Sequence, residues 1–262
     1  MISLARRDGR PLRIGHRGAA LLAPENTLAS FRAAVEVGVD LVEFDVYGLS
    51  SGELVVAHSD DLLEVSHGAV AGRVRSLPLD ELRSTCPDLP TLAEALDWFA
   101  SEATDVGVHV DLKDSGIAAG VATELRRHGL LERSFVSAFY RSTLREIRRL
   151  EPSVRTGVTF PRDPLRIHGR RGSGPFERAA LWAMRRLTPS LVRLLLAGSD
   201  ATALVLHHAV VGPAVVRRAH ARGIAVVAWT VDDPLDLARV DAAGVDAVVS
   251  NDPNIFLSTL PA

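Results

Sequence analysis

A chain of 262 residues with 47% apolar and 24% charged side chains can bury one sizeable core, and α/β barrels routinely use about 250 residues as a single domain. Its formal charge of −2 argues against nucleic acid as a partner, which selects strongly basic surfaces. The lone Cys86 cannot close an intramolecular disulfide, the N-terminus lacks the apolar stretch of a signal peptide, and no apolar run approaches the roughly 18 residues of a membrane span. The expectation is a cytoplasmic protein with no transmembrane segment.

Strand-like apolar runs alternate with stretches of helical period from end to end. The first predicted strand, 12–16, runs into His16-Arg17-Gly18. Gly18 is expected to let the backbone approach a ligand closely. A helix over 26–37 follows, opened by Pro24-Glu25-Asn26-Thr27, with Asn26 as its expected N-cap and Glu25 near its positive end. The strand at 40–46 carries Glu43 and Asp45, which share a face because strand side chains alternate with period two. Residues 47–90 exceed what a minimal barrel needs. They hold a turn at Ser50-Ser51-Gly52, an extra strand at 53–58 ending in His58, a glycine-rich segment and a short helix from Pro78, and they read as a small inserted subdomain.

A helix at 91–103 leads to the strand 108–112, where Asp111 and Lys113 share parity, and Lys113 is the only lysine among 30 basic residues. Strands at 134–138, 155–160, 203–207, 225–229 and 246–250 alternate with helices at 116–128, 141–150, 175–197, 212–222 and 234–243. Pro189 is expected to kink or divide the long helix at 175–197. Arg162, Arg166, His168, Arg170 and Arg171 make the loop 161–174 basic, which reads as a solvated loop. His207 and Trp229 end their strands at the rim. A short helix is expected from Pro253. Eight strands each followed by a helix is the count of a closed (β/α)8 TIM barrel, with the 47–90 insertion on the face that carries active sites. A weak repeat, Gly38-Val39-Asp40-Leu41-Val42 against Gly244-Val245-Asp246-Ala247-Val248, marks αβ turns at the opposite end.

Three carboxylates, two imidazoles, one Arg and one Lys at strand ends suit metal-assisted phosphate chemistry. Paired carboxylates on one strand are hard-oxygen ligands for a divalent cation such as Mg²⁺ or Ca²⁺, and buried unpaired ones demand a cation or a hydrogen-bonding partner. With Arg17 and Lys113, a divalent ion would bring the site to a net charge of about +1, suited to a phosphodiester. Arg17 offers bidentate donors to phosphate oxygens. His16 and His58 have the unperturbed pKa for proton transfer at neutral pH. An ion pair between Asp111 and Lys113 is the structural alternative, and capping alone accounts for Glu25 and Asn26. Trp229 serves equally as core.

His16-Arg17-Gly18, Pro24-Glu25-Asn26-Thr27, Glu43-x-Asp45, His58, Asp111-x-Lys113, Trp229-Thr230-Val231 and Asn251-Asp252-Pro253 fall in an order and spacing that resembles the glycerophosphodiester phosphodiesterase family. The resemblance spans most of the chain and is weakest over 139–200. It implies a metal-dependent barrel that hydrolyses glycerophosphodiesters to glycerol 3-phosphate and an alcohol. It further implies His16 and His58 as an acid/base pair, with the role of each left open, and Glu43, Asp45 and Asp111 as ligands of one divalent cation. Arg17 and Lys113 would hold the phosphate, Trp229 and His207 the glycerol side or rim, with Glu25 and Asn26 behind them. Three departures stand out. Asp111 replaces the commoner Glu, Ser59 follows the second His where Asp is usual, and Leu62-Leu63-Glu64-Val65 lacks a basic residue common there. Alternatives are a lipid-directed phosphodiesterase acting on a lysophospholipid, and a non-catalytic barrel that binds phosphate esters. The sequence carries no signal of oligomeric state.

Overall fold

The computed structural model describes residues 2–162 and 174–259. Eight parallel strands close on themselves: β1 (Leu12–Gly15), β2 (Leu41–Gly48), β4 (Gly107–Leu112), β5 (Ser134–Ala138), β6 (Arg155–Phe160), β7 (Ala203–His207), β8 (Ala225–Trp229) and β9 (Ala247–Ser250). β1 pairs with both β2 and β9, which completes the TIM barrel. The short β3 (Leu54–Val56) adds antiparallel to the far end of β2. Helices α1 (Leu28–Val37), α4 (Leu92–Ser101), α5 (Ala118–Arg127), α6 (Arg141–Leu150), α7 (Gly174–Leu196), α8 (Pro213–His220) and α9 (Pro234–Ala242) connect successive strands. Two more, α2 (Leu62–Val65) and α3 (Leu79–Thr85), belong to the insertion, and Pro253–Thr259 is a 3₁₀ turn.

Strand parity divides the core into three. Val42, Phe44, Val46, Val108 and Val110 point outward and pack under the helices. Leu12, Ile14, Leu41, Phe135, Val205, Val227 and Val249 fill the barrel interior. That interior is tight: a Cβ on Gly157 would lie 2.6 Å from Phe135 Cζ and 2.8 Å from Val205 Cγ2, so glycine makes room for the ring. The insertion has a core of its own, formed by Leu49, Val55, Ala57, Leu62, Val74, Leu82, Cys86 and Leu89.

The repeat has a physical basis beyond its glycines. Asp40 Oδ2 accepts the Arg13 N–H at 2.8 Å, and Asp246 Oδ2 accepts the Val226 N–H at 2.7 Å. Each Asp therefore ties the bottom of its own strand to the preceding parallel one.

Pro189 lies inside α7 and does not divide it; Thr188 and Val192 of this stretch are buried. Gly18, at φ 88°, is required by packing, since a Cβ there would meet Ser30 Cβ of α1 at 2.7 Å. Of the basic loop, Arg162 donates to Tyr140 Oη at 2.7 Å, whereas Arg166, His168, Arg170 and Arg171 lie outside the described residues.

Candidate active site

Inward-facing residues at the C-terminal strand ends line a cavity of about 100 Å³ that holds His16, Arg17, Glu43, His58, Asp111, Lys113 and Trp229. The register of β2 and β4 sets Asp45 beside Asp111 and Glu43 beside His109. Glu43, Asp45 and Asp111 each offer an oxygen within 4.8 Å of the others, and all three are buried. Lys113 Nζ bridges the cluster, 2.7 Å from Asp45 Oδ1 and bonded to Asp111 Oδ2. The ion pair considered from the sequence thus exists inside the cluster rather than in place of it.

Arg17 takes a left-handed backbone at φ 50°, and its N–H donates to Glu43 Oε2 at 2.8 Å. Its Nη1 donates to both oxygens of Glu25, at 2.8 and 2.7 Å, while Nε lies 3.2 Å from Asp45 Oδ2. Asn26 is not the helix cap; Thr27 is, accepting from Ser30 N. Asn26 instead stands at φ 60°, a conformation Asn tolerates, and clamps Asp45: Nδ2 donates to Oδ2 at 3.0 Å and Oδ1 accepts the Asp45 N–H at 3.2 Å.

Crowded charge sets the ionisation pattern. Burial and the adjacent Asp45 push the Glu43 carboxyl well above the usual carboxylate range. Burial also disfavours the Asp45 anion, but Lys113 and Arg17 outweigh it and hold that carboxyl well below its usual range. Lys113 is likewise buried, yet Asp111, Asp45 and Glu43 raise its pKa above the ordinary lysine value. A cluster that keeps one member reluctant to ionise, despite two nearby cations, is one a divalent ion fits: hard-oxygen donors, buried and convergent.

The two histidines have different partners. Asn251 Nδ2 donates to Asp232 Oδ2 at 2.7 Å, so its Oδ1 must accept from His16 Nδ1 at 2.6 Å. His16 therefore carries its proton on Nδ1 and keeps a lone pair on Nε2, which lies 3.9 Å from Glu43 Oε2. Burial and the charge of Arg17 push its pKa down to about 3. His58 follows β3, and its Nδ1 lies 2.6 Å from Glu64 Oε1.

Trp229 lines the cavity, with its Nε1–H donating to Val205 O at 3.2 Å and its ring edge-on to Phe139 at 6.5 Å. His207 stacks edge-on to Trp229 at 5.5 Å, behind the cavity wall. Sequence reasoning gave no role to His109, Ser137 or Asp232, and named Asn251 and Glu64 only as members of motifs, without their histidine partners. His109 Nε2 pairs with Ser137 Oγ at 2.8 Å, and Ser137 donates to Asp111 Oδ1, a relay beneath the carboxylates. His109 shares parity with Asp111, and that was its signal.

An eight-stranded barrel with this carboxylate cluster and two imidazoles lining its mouth has the groups that metal-assisted phosphate-ester hydrolysis requires. The family model for the glycerophosphoryl diester phosphodiesterase family matches residues 16–255. A probable glycerophosphodiester phosphodiesterase 1 of Mycobacterium tuberculosis is 30% identical over 94% of this chain and 90% of its own. A glycerophosphodiester phosphodiesterase of Caldanaerobacter subterraneus is 24% identical over 95% of this chain and 97% of its own. Among solved structures, an Oleispira antarctica phosphodiesterase in complex with the product sn-glycerol-3-phosphate superposes with a TM-score of 0.72, at 25% identity, over 95% of this chain and 96% of that one. The chain belongs to the glycerophosphoryl diester phosphodiesterase family. It is a phosphoric diester hydrolase that acts on glycerophosphodiesters, which sets aside the non-catalytic alternative.

Proposed function

We propose that residues 16–255 cleave glycerophosphodiesters to glycerol 3-phosphate and an alcohol with His16 as general base and His58 as general acid, on one barrel domain that carries 47–90 as a subdomain. The observation that carries this reading is the difference between the two imidazole partners. His16 faces a neutral amide and the charge of Arg17, which keeps Nε2 unprotonated. His58 faces a carboxylate, a partner suited to a ring protonated on both nitrogens. His16 Nε2 takes the proton of the attacking hydroxyl as its oxygen bonds to phosphorus: attack by water gives glycerol 3-phosphate directly, and attack by the substrate glycerol gives a cyclic phosphate that water then opens to glycerol 3-phosphate. His58 Nε2–H protonates the alcohol oxygen as its bond to phosphorus breaks.

Glu43, Asp45 and Asp111 would hold the cation, with Mg²⁺ or Ca²⁺ the proposed ion. When bound it supplies Lewis-acid stabilisation of charge on a non-bridging phosphate oxygen. Lys113 and Arg17 share that load. Since Nη1 and Nε of Arg17 already engage carboxylates, a phosphate would meet the guanidinium at its remaining nitrogen. Glu25 also alters the charge balance read from the sequence: with it, the carboxylates, two cations and a divalent ion cancel. Trp229 and Phe139 offer an apolar wall for the glycerol carbons.

A lysophospholipid substrate is the second reading. It is favoured by Leu21 and Leu22, 66% and 46% exposed, which line the groove next to Arg17, Glu25 and Glu64. The proposed compartment is the cytoplasm, in keeping with a buried free thiol at Cys86. The deciding experiment measures glycerol 3-phosphate release over water-soluble diesters and dispersed lysophospholipids, with chelator and metal add-back. Metal-restored release from soluble diesters supports the first reading, release from lipid alone supports the second, and release that ignores the chelator defeats the metal assignment.

A further inference from the structure

Glu64 stands in the segment where the chain departs from its family's usual basic residue, and it is the carboxylate behind His58. We propose that Glu64 is a positioning residue for His58, fixing the ring so that Nε2 is the nitrogen presented to the leaving alcohol. The proposal rests on the reading of His58 as general acid.

A carboxylate accepts only, so at 2.6 Å from Glu64 Oε1 the His58 Nδ1 must carry a proton. With Nδ1 committed there, Nε2 is left for the cavity that His58 lines. The second carboxylate oxygen is fixed as well, because Ser59 Oγ donates to Glu64 Oε2 at 2.9 Å.

The element that delivers Glu64 is anchored. Asp61 caps α2 through the Leu63 N–H at 3.1 Å, and the Leu62 N–H donates to Gly72 O at 3.0 Å. The Leu62 side chain is buried in the insertion's own core. Because β3 and α2 belong to that insertion, the imidazole and its carboxylate are held by one packed unit. As a purely stabilising contact the pair would matter little: the His58 and Glu64 side chains are 30% and 32% exposed, where such pairs contribute about 0–1 kcal/mol. Its consequence is expected in turnover instead.

The test compares two diesters: glycerophosphocholine, whose alkoxide must be protonated as it leaves, and the glycerophosphodiester of p-nitrophenol, whose phenolate leaves without help. Glu64→Ala, which leaves Nδ1 without the acceptor that a Gln amide oxygen would still supply, should lower kcat on glycerophosphocholine by roughly 10- to 100-fold, less than loss of the acid itself. On the aryl diester it should stay within about threefold of wild type, with little change in KM for either. Ser59→Ala, which keeps the carboxylate but releases its second oxygen, should show the same discrimination at smaller amplitude, and stands in if Glu64→Ala is poorly folded. Equal losses on both substrates, or none, overturn the positioning role. His58→Ala separates the two levels: if it discriminates between the diesters and the Glu64 variant does not, only the positioning role fails. If His58→Ala loses as much on the aryl diester, the acid reading fails and takes Glu64 with it.

Discussion

At the scale of single residues, the site is built on which proton sits where. His16 is held neutral by burial and by Arg17, and its tautomer is set by an amide whose own orientation is dictated by Asp232. Replacing Asn251 by Ala removes that lock without touching the carboxylate cluster, so turnover should fall roughly 10- to 100-fold while KM stays near wild type. Steady-state kinetics on glycerophosphocholine read this directly, and a KM rise with kcat unchanged would place Asn251 in substrate binding instead. His16→Ala should cost more, a factor of about 10² to 10⁴, and near-normal turnover would remove His16 from proton transfer. The sequence shows His16, Glu43, Asp45, Asp111 and Lys113 because strand ends and period-two parity are local properties. It does not show Asn251 behind His16, a contact between residues 235 positions apart that depends on barrel closure. Asn26 misleads for a related reason: its local cue is a helix cap, while its side chain answers a long-range demand from Asp45.

Among the elements, the alternation of strand and helix is legible almost to its boundaries, because period two and period 3.6 are local signals. What holds the elements in register at the bottom is less so. Asp40 precedes β2, binds the β1 backbone at Arg13 and pairs with Arg10 at 2.6 Å, and its carbonyl accepts the Gly107 N–H that opens β4. Three strands therefore meet at one residue, through its side chain and its backbone. Burial alone would raise the Asp40 carboxyl, but the hydrogen bonds from Arg10 and the Arg13 N–H hold it below its usual value of 3.8. Since the folded pKa is depressed, the stability it contributes is present above pH about 4 and is lost as pH falls through the folded value. Asp40→Asn should lower stability by roughly 2 kcal/mol at pH 7, as breaking a partly buried ion pair does. The gap to wild type should narrow below pH about 4. Denaturant melts at pH 7 and pH 3 test this, and a gap that stays constant would show that charge pairing is not what Asp40 supplies.

Only the pairing of β2 with β4 brings Glu43, Asp45 and Asp111 within 4.8 Å, and neither strand alone carries that proximity. That pairing, buried within the barrel, concentrates like charge, and the protein answers with Lys113 and Arg17, yet Glu43 still resists ionisation. A divalent cation that binds the folded barrel and not the unfolded chain removes this residual repulsion and stabilises the fold by mass action, about 2.7 kcal/mol at a hundredfold excess over Kd. For a domain of this size that corresponds to a rise in Tm on the order of 5–10 °C. Calorimetry of chelator-treated protein titrated with Mg²⁺, Ca²⁺ or Mn²⁺ should show the rise, and Asp45→Asn should abolish it. The effect also has a sign in pH. The folded pKa of Glu43 is raised, so at lower pH its carboxyl holds a proton that must leave before the ion is ligated, and the metal-induced rise should shrink on acidification. A melting temperature indifferent to every divalent ion at neutral pH would mean that Lys113 and Arg17 suffice to compensate the carboxylates, and the cluster would then be a buried ion-pair network rather than a cation site.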